Sequence, residues 1–263
     1  MLRVPLEIVA DADDSRLALA FVELHVDGRP MRALLDSGAS RSAVLERPDL
    51  VRVQARAGGT SVFGVLAEDR RARVAVVFAG RDLGSLDVSV VPVGHPGHGN
   101  LVGQDVLARF RCEYRLAEGA LILDGDLPES VHRVHLDEGR HVYVDVTWPT
   151  GEVASAVIDT GASATVVDQR FAAQNRRLFT HEGTSSGTDA SGAVLQTPAV
   201  RMAAFQVLGA ELDASPAAIV DLSAANATVE RRMDLILGWP ILAQGTLTID
   251  HRLQVASFQS RTL

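Results

Sequence analysis

The chain has 263 residues and a net charge of -8 from 33 acidic and 25 basic side chains. That length allows one large domain or two smaller ones with cores of their own, and the acidic balance gives no electrostatic reason to expect a nucleic-acid partner. A hydrophobic fraction of 47% excludes extended disorder, the single cysteine, Cys112, excludes an internal disulfide, and the absence of an apolar run of about 18 residues predicts no membrane-spanning helix.

Short valine-rich stretches punctuated by glycine favour strands over helices. Residues 2–10 read as an edge strand and 11–15 as a turn. Pro5 and Glu7 interrupt the apolar residues at the start, which is not a signal-peptide pattern, so the cytoplasm is the expected location. Residues 17–26 form the next strand, Asp27-Gly28 signals a hairpin, and 31–35 return to deliver Asp36. A strand at 42–45 leads outward. The glycine-rich segment 57–64 reads plainly as a hairpin tip. Its Gly58, Gly59, Val62 and Phe63 are also candidates for a mobile cover over a cleft. Strands at 74–78 and 89–93 follow. Leu101-Val102-Gly103 reads as a strand entering a short helix, and a strand at 120–123 closes the half. Cys112 lies in the alternating run 110–114 and reads as a packing residue. Residues 125–133 lack periodicity and contain Pro128, which makes them a connector between 1–127 and 128–263.

The second half replays this order. Residues 140–147 alternate, Pro149-Thr150-Gly151 turns, 153–158 deliver Asp159, and 165–167 lead away. A second glycine-rich segment spans 183–192, strands follow at 200–207 and 218–220, and Ile236-Leu237-Gly238 enters another short helix before strands at 246–249 and 253–258. The stretch Leu34-Leu35-Asp36-Ser37-Gly38-Ala39-Ser40 thus recurs 123 residues later as Val157-Ile158-Asp159-Thr160-Gly161-Ala162-Ser163. Gly28/Gly151 and Ala33/Ala156 share that offset. A turn repeated in register with its strand points to a duplicated unit.

Taken singly, Asp36 or Asp159 reads as a turn residue capping its own loop. Two such loops in one chain point instead to two carboxylates brought together. Carboxylates about 3 Å apart cannot both stay ionised, so they share a proton, and one can accept a proton from water while the other donates to a carbonyl.

These motifs resemble the catalytic loops of aspartic proteases, the group containing the retroviral proteases and pepsin. There, Asp-Thr/Ser-Gly follows two apolar residues, and a later apolar-apolar-Gly element passes beside the loop, as Leu101-Val102-Gly103 and Ile236-Leu237-Gly238 would here. The resemblance implies an all-β, bilobal fold of two pseudo-twofold-related, retropepsin-like lobes, 1–127 and 128–263, around a central cleft. It implies an aspartic endopeptidase with Asp36 and Asp159 as the catalytic pair, no cofactor, a peptide or protein substrate and no membrane partner. Ser37 and Thr160 are then expected to bond across the junction, Gly38 and Gly161 to let the loops approach, and Ser40 and Ser163 to donate to the carboxylates from outside. Val62, Phe63, Ile236, Trp239 and Ile241 become flap or pocket candidates. Alanine after each glycine, small lobes and no tyrosine in either flap segment look retroviral-like. Because one chain encodes both halves, the expectation is a monomeric pseudo-dimer, of bacterial character given its compact, arginine-rich and lysine-poor sequence. The alternative is a catalytically inactive peptide-binding or scaffold module on the same fold.

Other chemistries lack their parts. No Gly-x-x-x-x-Gly-Lys-Ser/Thr loop occurs, glycines occupy the positions where a haloacid-type phosphatase needs a second aspartate, and no histidine base is placed for a serine nucleophile. His95, His98, His132 and His135 come without third and fourth ligands at convincing spacing, so no metal is expected.

Overall fold

The computed structural model describes residues 1–57, 60–61, 64–65, 68–94, 99–188 and 194–261. The architecture is all-β, and three sheets carry almost all of it. The expected edge strand at the start is two strands. Leu2–Pro5 and Glu7–Ala10 part at Leu6 and enter different sheets.

In the sheet carrying Asp36 the order is Glu7–Ala10, Ala18–Val26, Arg29–Leu35, Leu101–Val102, Ala43–Leu45, Arg81–Val91, Glu68–Phe78 and Val51–Ala57. Glu68–Phe78 also pairs back onto Ala18–Val26, Leu24 against Phe78, which closes six of these strands into a barrel. Alternation dictates which side chains fill it: Val22, Leu24 and Val26 from one strand meet Ala33 and Leu35 from the next, all at or below 3% exposure. Each large apolar side chain so buried contributes about 1.5–3 kcal/mol. The hairpin at Asp27-Gly28 has positive φ at both residues, 50° and 76°, the turn whose twist matches the flanking strands.

The sheet carrying Asp159 runs Phe179–Thr188, Val194–Met202, Ser215–Val220, Thr165–Asp168, Leu235–Leu237, Val153–Ile158, Val142–Thr147, Phe205–Val207 and Ala210–Leu212, with His135–Leu136 also on Val142–Thr147. It does not close among the described residues. In both sheets the strand ending at the aspartate pairs in parallel with the strand of the glycine element: Leu34 and Leu35 with Leu101 and Val102, Val157 and Ile158 with Ile236 and Leu237. The two differ in what the sequence resolved. Residues 200–207 are not one strand but the end of Val194–Met202 and the whole of Phe205–Val207, and Gln169–Gln174 is a helix that the strand-like reading passed over.

The third sheet joins the halves. Its order is Leu2–Pro5, Ala120–Leu123, Arg111–Arg115, Gly245–Asp250, Val255–Ser260 and His132–Arg133. At its centre Glu113 pairs with Thr248, each ten residues beyond its own half's glycine, Gly103 or Gly238. Around that pair Cys112 meets Ile249 and Tyr114 meets Leu247, so the ladder is self-complementary. The Arg111 guanidinium donates to Asp250 at 3.0 Å across the same ladder. Cys112 is fully buried, its thiol pushed up to about 12 by burial, which confirms a packing role and makes it a poor nucleophile.

Candidate active site

Asp36 and Asp159 stand just past the ends of their strands, where backbone pairing gives way to a tight loop. The Asp36 amide donates to Val102 O and the Asp159 amide to Leu237 O, each at 3.0 Å. Ala39 N then donates to Asp36 O and Ala162 N to Asp159 O, both at 3.4 Å. The glycine elements lock the loops from below. Gln104 N donates to Ala39 O at 2.8 Å and Trp239 N to Ala162 O at 2.9 Å. Gly103 and Gly238 are glycines for want of space, since a Cβ at either would strike the backbone of Ala39 and Arg41 or of Ala162 and Ala164.

The two loops are cross-bonded through their hydroxyls. Thr160 Oγ1 accepts from Ser37 N at 2.9 Å and donates to Leu35 O at 2.8 Å. Ser37 Oγ accepts from Thr160 N at 3.0 Å and donates to Ile158 O at 3.1 Å. Both residues are buried, so these four bonds satisfy groups that water does not reach. Gly38 and Gly161 supply the closeness. A Cβ on Gly38 would fall on the Asp159 carboxyl, and one on Gly161 on the Asp36 carboxyl.

The outcome is a carboxyl pair joined by a hydrogen bond, each residue keeping part of its surface open. Burial pushes both carboxyls up. For Asp36 the neighbouring Asp159 charge and their shared bond add to burial, so it lies well above the usual carboxylate range. For Asp159 burial is opposed by the Gly161 amide, which donates at 2.8 Å, and by the bond received from Asp36. One proton shared between them follows from the repulsion of two adjacent carboxylates. Such a pair can take a proton at one oxygen and give one at another without moving its backbone.

Other expected residues are placed differently. Ser40 is exposed and Ser163 half-buried, and neither donates to the carboxylates among the described residues; the amides of Gly38, Ala39 and Gly161 do so instead. Ile241 is fully buried in the main core, and Ile236 is 4% exposed against Val220 and Leu222, so neither offers a cleft surface. The reason is position: Ile236 lies in the interior strand Leu235–Leu237, buried at all three residues, and Ile241 in the short helix Trp239–Leu242 that packs on the core. Trp239 is half-buried and packs on the core. Gly58, Gly59, Val62 and Phe63 lie outside the described residues, as do His95 and His98. Around them Thr60–Ser61 pairs with Gly64–Val65, whose backbone lies against the helix Ser223–Asn226 of the other half. Gly183 to Thr188, the start of the second glycine-rich segment, continue the strand Phe179–Thr188, and residues 189–192 of that segment lie outside the description. Among the described residues no cluster of three or more His, Cys, Asp or Glu side chains could hold a metal.

Two site residues escaped the sequence reading. Gln104 is fully buried and donates from its side chain to Ser37 O at 2.8 Å. Asp105 accepts from both the amide and the hydroxyl of Ser42, at 2.9 and 2.6 Å, while that hydroxyl accepts from Gly103 N. The available signal was a glutamine and an aspartate directly after Gly103, polar residues where the other half carries Trp239 and Pro240.

A search of curated proteins returns no match. Among solved structures the chain resembles conglutin gamma, a basic 7S globulin from lupine seeds, with a TM-score of 0.54 at 13% identity over 99% of this chain and 95% of that one. At that identity the likeness concerns the fold. No helix among the described residues is long and apolar enough to cross a membrane. Residues 144–241, which span Asp159, its loop and the second glycine element, match the family model described as aspartyl protease.

Proposed function

We propose that the chain is an aspartic endopeptidase that hydrolyses peptide bonds with a water held between Asp36 and Asp159. The observation that carries this is the hydrogen-bonded carboxyl pair on two loops cross-bonded through Ser37 and Thr160. The family match to the Asp159 half supports it. In this reaction ionised Asp159 takes a proton from the water as its oxygen bonds to the peptide carbon. Asp36 gives its proton to the carbonyl oxygen, and a tetrahedral diol results. When the C–N bond breaks, Asp159 passes its proton to the leaving nitrogen and a diol hydroxyl returns one to Asp36. The dyad is then as it began.

Residues 1–127 and 128–263 are the two lobes in this reading, retropepsin-like and joined by the shared sheet, and the self-complementary ladder at Glu113–Thr248 supports a duplicated layout. Both carboxylates lie on one chain, so a monomer suffices. The substrate is an extended peptide under the hairpin arms that flank Thr60–Ser61 and Gly64–Val65.

The test is cleavage of a random peptide library by wild type, Asp36→Asn and Asp159→Asn from about pH 3 to pH 8, with chelator and serine-reactive controls. Loss of a positioned acid or base costs about 100- to 10,000-fold, so each variant is expected to lose nearly all turnover while remaining folded. Full cleavage by either variant overturns the mechanism. A fold alone does not imply activity, so the rival is a peptide-binding or scaffold module without catalysis on the same fold. Peptide binding without cleavage by wild type, unchanged in Asp36→Asn, establishes the rival.

A further inference from the structure

One edge of the strand Val142–Thr147 is interrupted. His135–Leu136 covers it at Tyr143 and Val142, and Phe205–Val207 covers it at Val146 and Thr147. Between them Val144 and Asp145 have no strand alongside on that edge. Both covering strands peel away there. Val134 turns its amide to Gln254 O, and the chain leaves Phe205–Val207 through Leu208 and Gly209, a turn with positive φ at 49° and 77°. The parity of the ladder decides which residue faces the gap. Trp148 N donates to Glu152 O on the side of Val153–Ile158, whereas His141 O accepts from Asp137 N on the other side. Even-numbered residues of the strand therefore bond to Val153–Ile158 and odd-numbered ones to the interrupted edge. Asp145 opens its own N–H and C=O into the gap, and neither has a protein partner among the described residues.

The gap is the floor of a cavity of about 240 Å³. Its walls come from two sheets, His132 and Arg133 from the edge strand of the shared sheet and Leu208 and Gly209 from the turn. Gly209 keeps the cavity open, since a Cβ there would meet the His132 ring at 3.0 Å. Arg133 is exposed and makes no ion pair among the described residues. The Asp145 carboxylate, also on the wall, is already bound by the Arg231 guanidinium, and Gln206 donates to Glu211 at 3.2 Å. An unengaged cation thus stands beside an unengaged backbone amide and carbonyl.

We propose that this gap binds the carboxyl terminus of a short peptide as a one-residue addition to the sheet. The terminal residue's N–H donates to Asp145 O, and its carboxylate accepts from Asp145 N and from the Arg133 guanidinium. Register sets the length. A chain running through the gap would meet His135 at one end and Val207 at the other, so the site takes a chain end and not the interior of a polypeptide. Charge selects which end, because Arg133 attracts a carboxylate and repels an ammonium. The site is separate from the dyad: it lies on the far edge of Val142–Thr147, and Asp145 stands opposite Ser155 on the strand that leads to Asp159. A peptidase releases one such terminus with every cut. That link rests on the peptidase reading; the binding does not.

The experiment is a nitrogen-15 amide NMR titration of the full chain with N-acetyl-alanyl-alanine, with its C-terminal amide and with sodium acetate. The free acid is expected to shift the amides of Arg133, Asp145 and Gly209 to saturation. The peptide amide lacks the charge and acetate lacks the N–H, so each is expected to bind about tenfold or more weakly. Arg133→Gln, at an exposed position, is expected to weaken the free acid by about ten- to a hundredfold and to leave the peptide amide unchanged, since one charge-assisted bond is lost. Equal affinity of acid and amide, or an Arg133→Gln variant that binds the acid as wild type does, overturns the proposal; the first comparison needs no variant at all. Acetate binding as tightly as the peptide overturns it in favour of a bare anion site. Shifts confined to the amides of Gly38 and Gly161 place the peptide at the dyad and overturn it too. Saturable shifts at Asp145 with no cleavage by wild type leave this site standing and remove the peptidase reading. Cleavage with no shift at Asp145 does the reverse.

Discussion

The two aspartate loops are nearly interchangeable, whereas the elements beneath them are not. Above, Ser37 and Thr160 make matching pairs of bonds, and Gly38 and Gly161 each face the opposite carboxyl. Below, the backbones still agree. Gly103 has φ -101° and ψ -170°, Gly238 has φ -100° and ψ -164°, and each opens a four-residue helix. The side chains diverge. The first element grips its loop with polar groups, Gln104 on Ser37 O and Asp105 on Ser42. The second fills the same places with Trp239 packed on the core and a buried Pro240. The lesson is that the site demands a backbone path and a separation of loops, which many side chains can support from behind, but it demands particular atoms wherever the two halves touch.

That contrast can be broken from the top. Gly38→Ala and Gly161→Ala each place a methyl where the opposite carboxyl sits, so the loops must part. Displacing reacting groups by about 1 Å costs on the order of 100-fold. Both variants are expected to lose at least that much kcat/KM and to lose it equally; tolerance of either would show that the loops are not equivalent.

The cross-bonds give the next largest effect. Ser37→Ala and Thr160→Val each strip a hydroxyl that accepts one buried bond and donates another, leaving an amide and a carbonyl without partners. Each is expected to cost about 2–3 kcal/mol in urea unfolding. The Thr160 bonds, 2.9 and 2.8 Å, are shorter than the Ser37 bonds, 3.0 and 3.1 Å, so the threonine variant should lose at least as much.

The smallest effect sharpens the difference below. Gln104→Leu removes one neutral bond to Ser37 O and should cost about 1 kcal/mol. The same urea series reads it. A loss well beyond that would make the glutamine essential to the first loop in a way that Trp239, which makes no such side-chain bond among the described residues, is not to the second.

Much of this was legible in the letters because it is local and repeated. A buried strand ending in aspartate, a hydroxyl and a glycine is a short-range pattern, and its recurrence at one offset, together with the Asp27-Gly28 and Pro149-Thr150-Gly151 turns, specified both loops and their strands. The pairing of carboxylates followed from that repetition, and the exchange of hydroxyl bonds from the resemblance that the repeated motif carries. What the letters left open depends on contacts distant in sequence. Whether an apolar residue faces a cleft or a core depends on what packs over it: Ile236 went inside against Val220 and Leu222, and Ile241 went inside because the helix Trp239–Leu242 lays it on the main core. Leu2–Pro5 and Glu7–Ala10 look like one strand, but their partners, Ala120–Leu123 and Ala18–Val26, belong to different sheets. Gln104 is polar and fully buried, a placement that no periodicity announces and that only the nearby carbonyl of Ser37 makes tolerable. The sequence by itself determined two aspartates on matching turns; the tertiary structure decided which side chains hold them, because burial and electrostatics are set by neighbours that the chain brings together only when it folds.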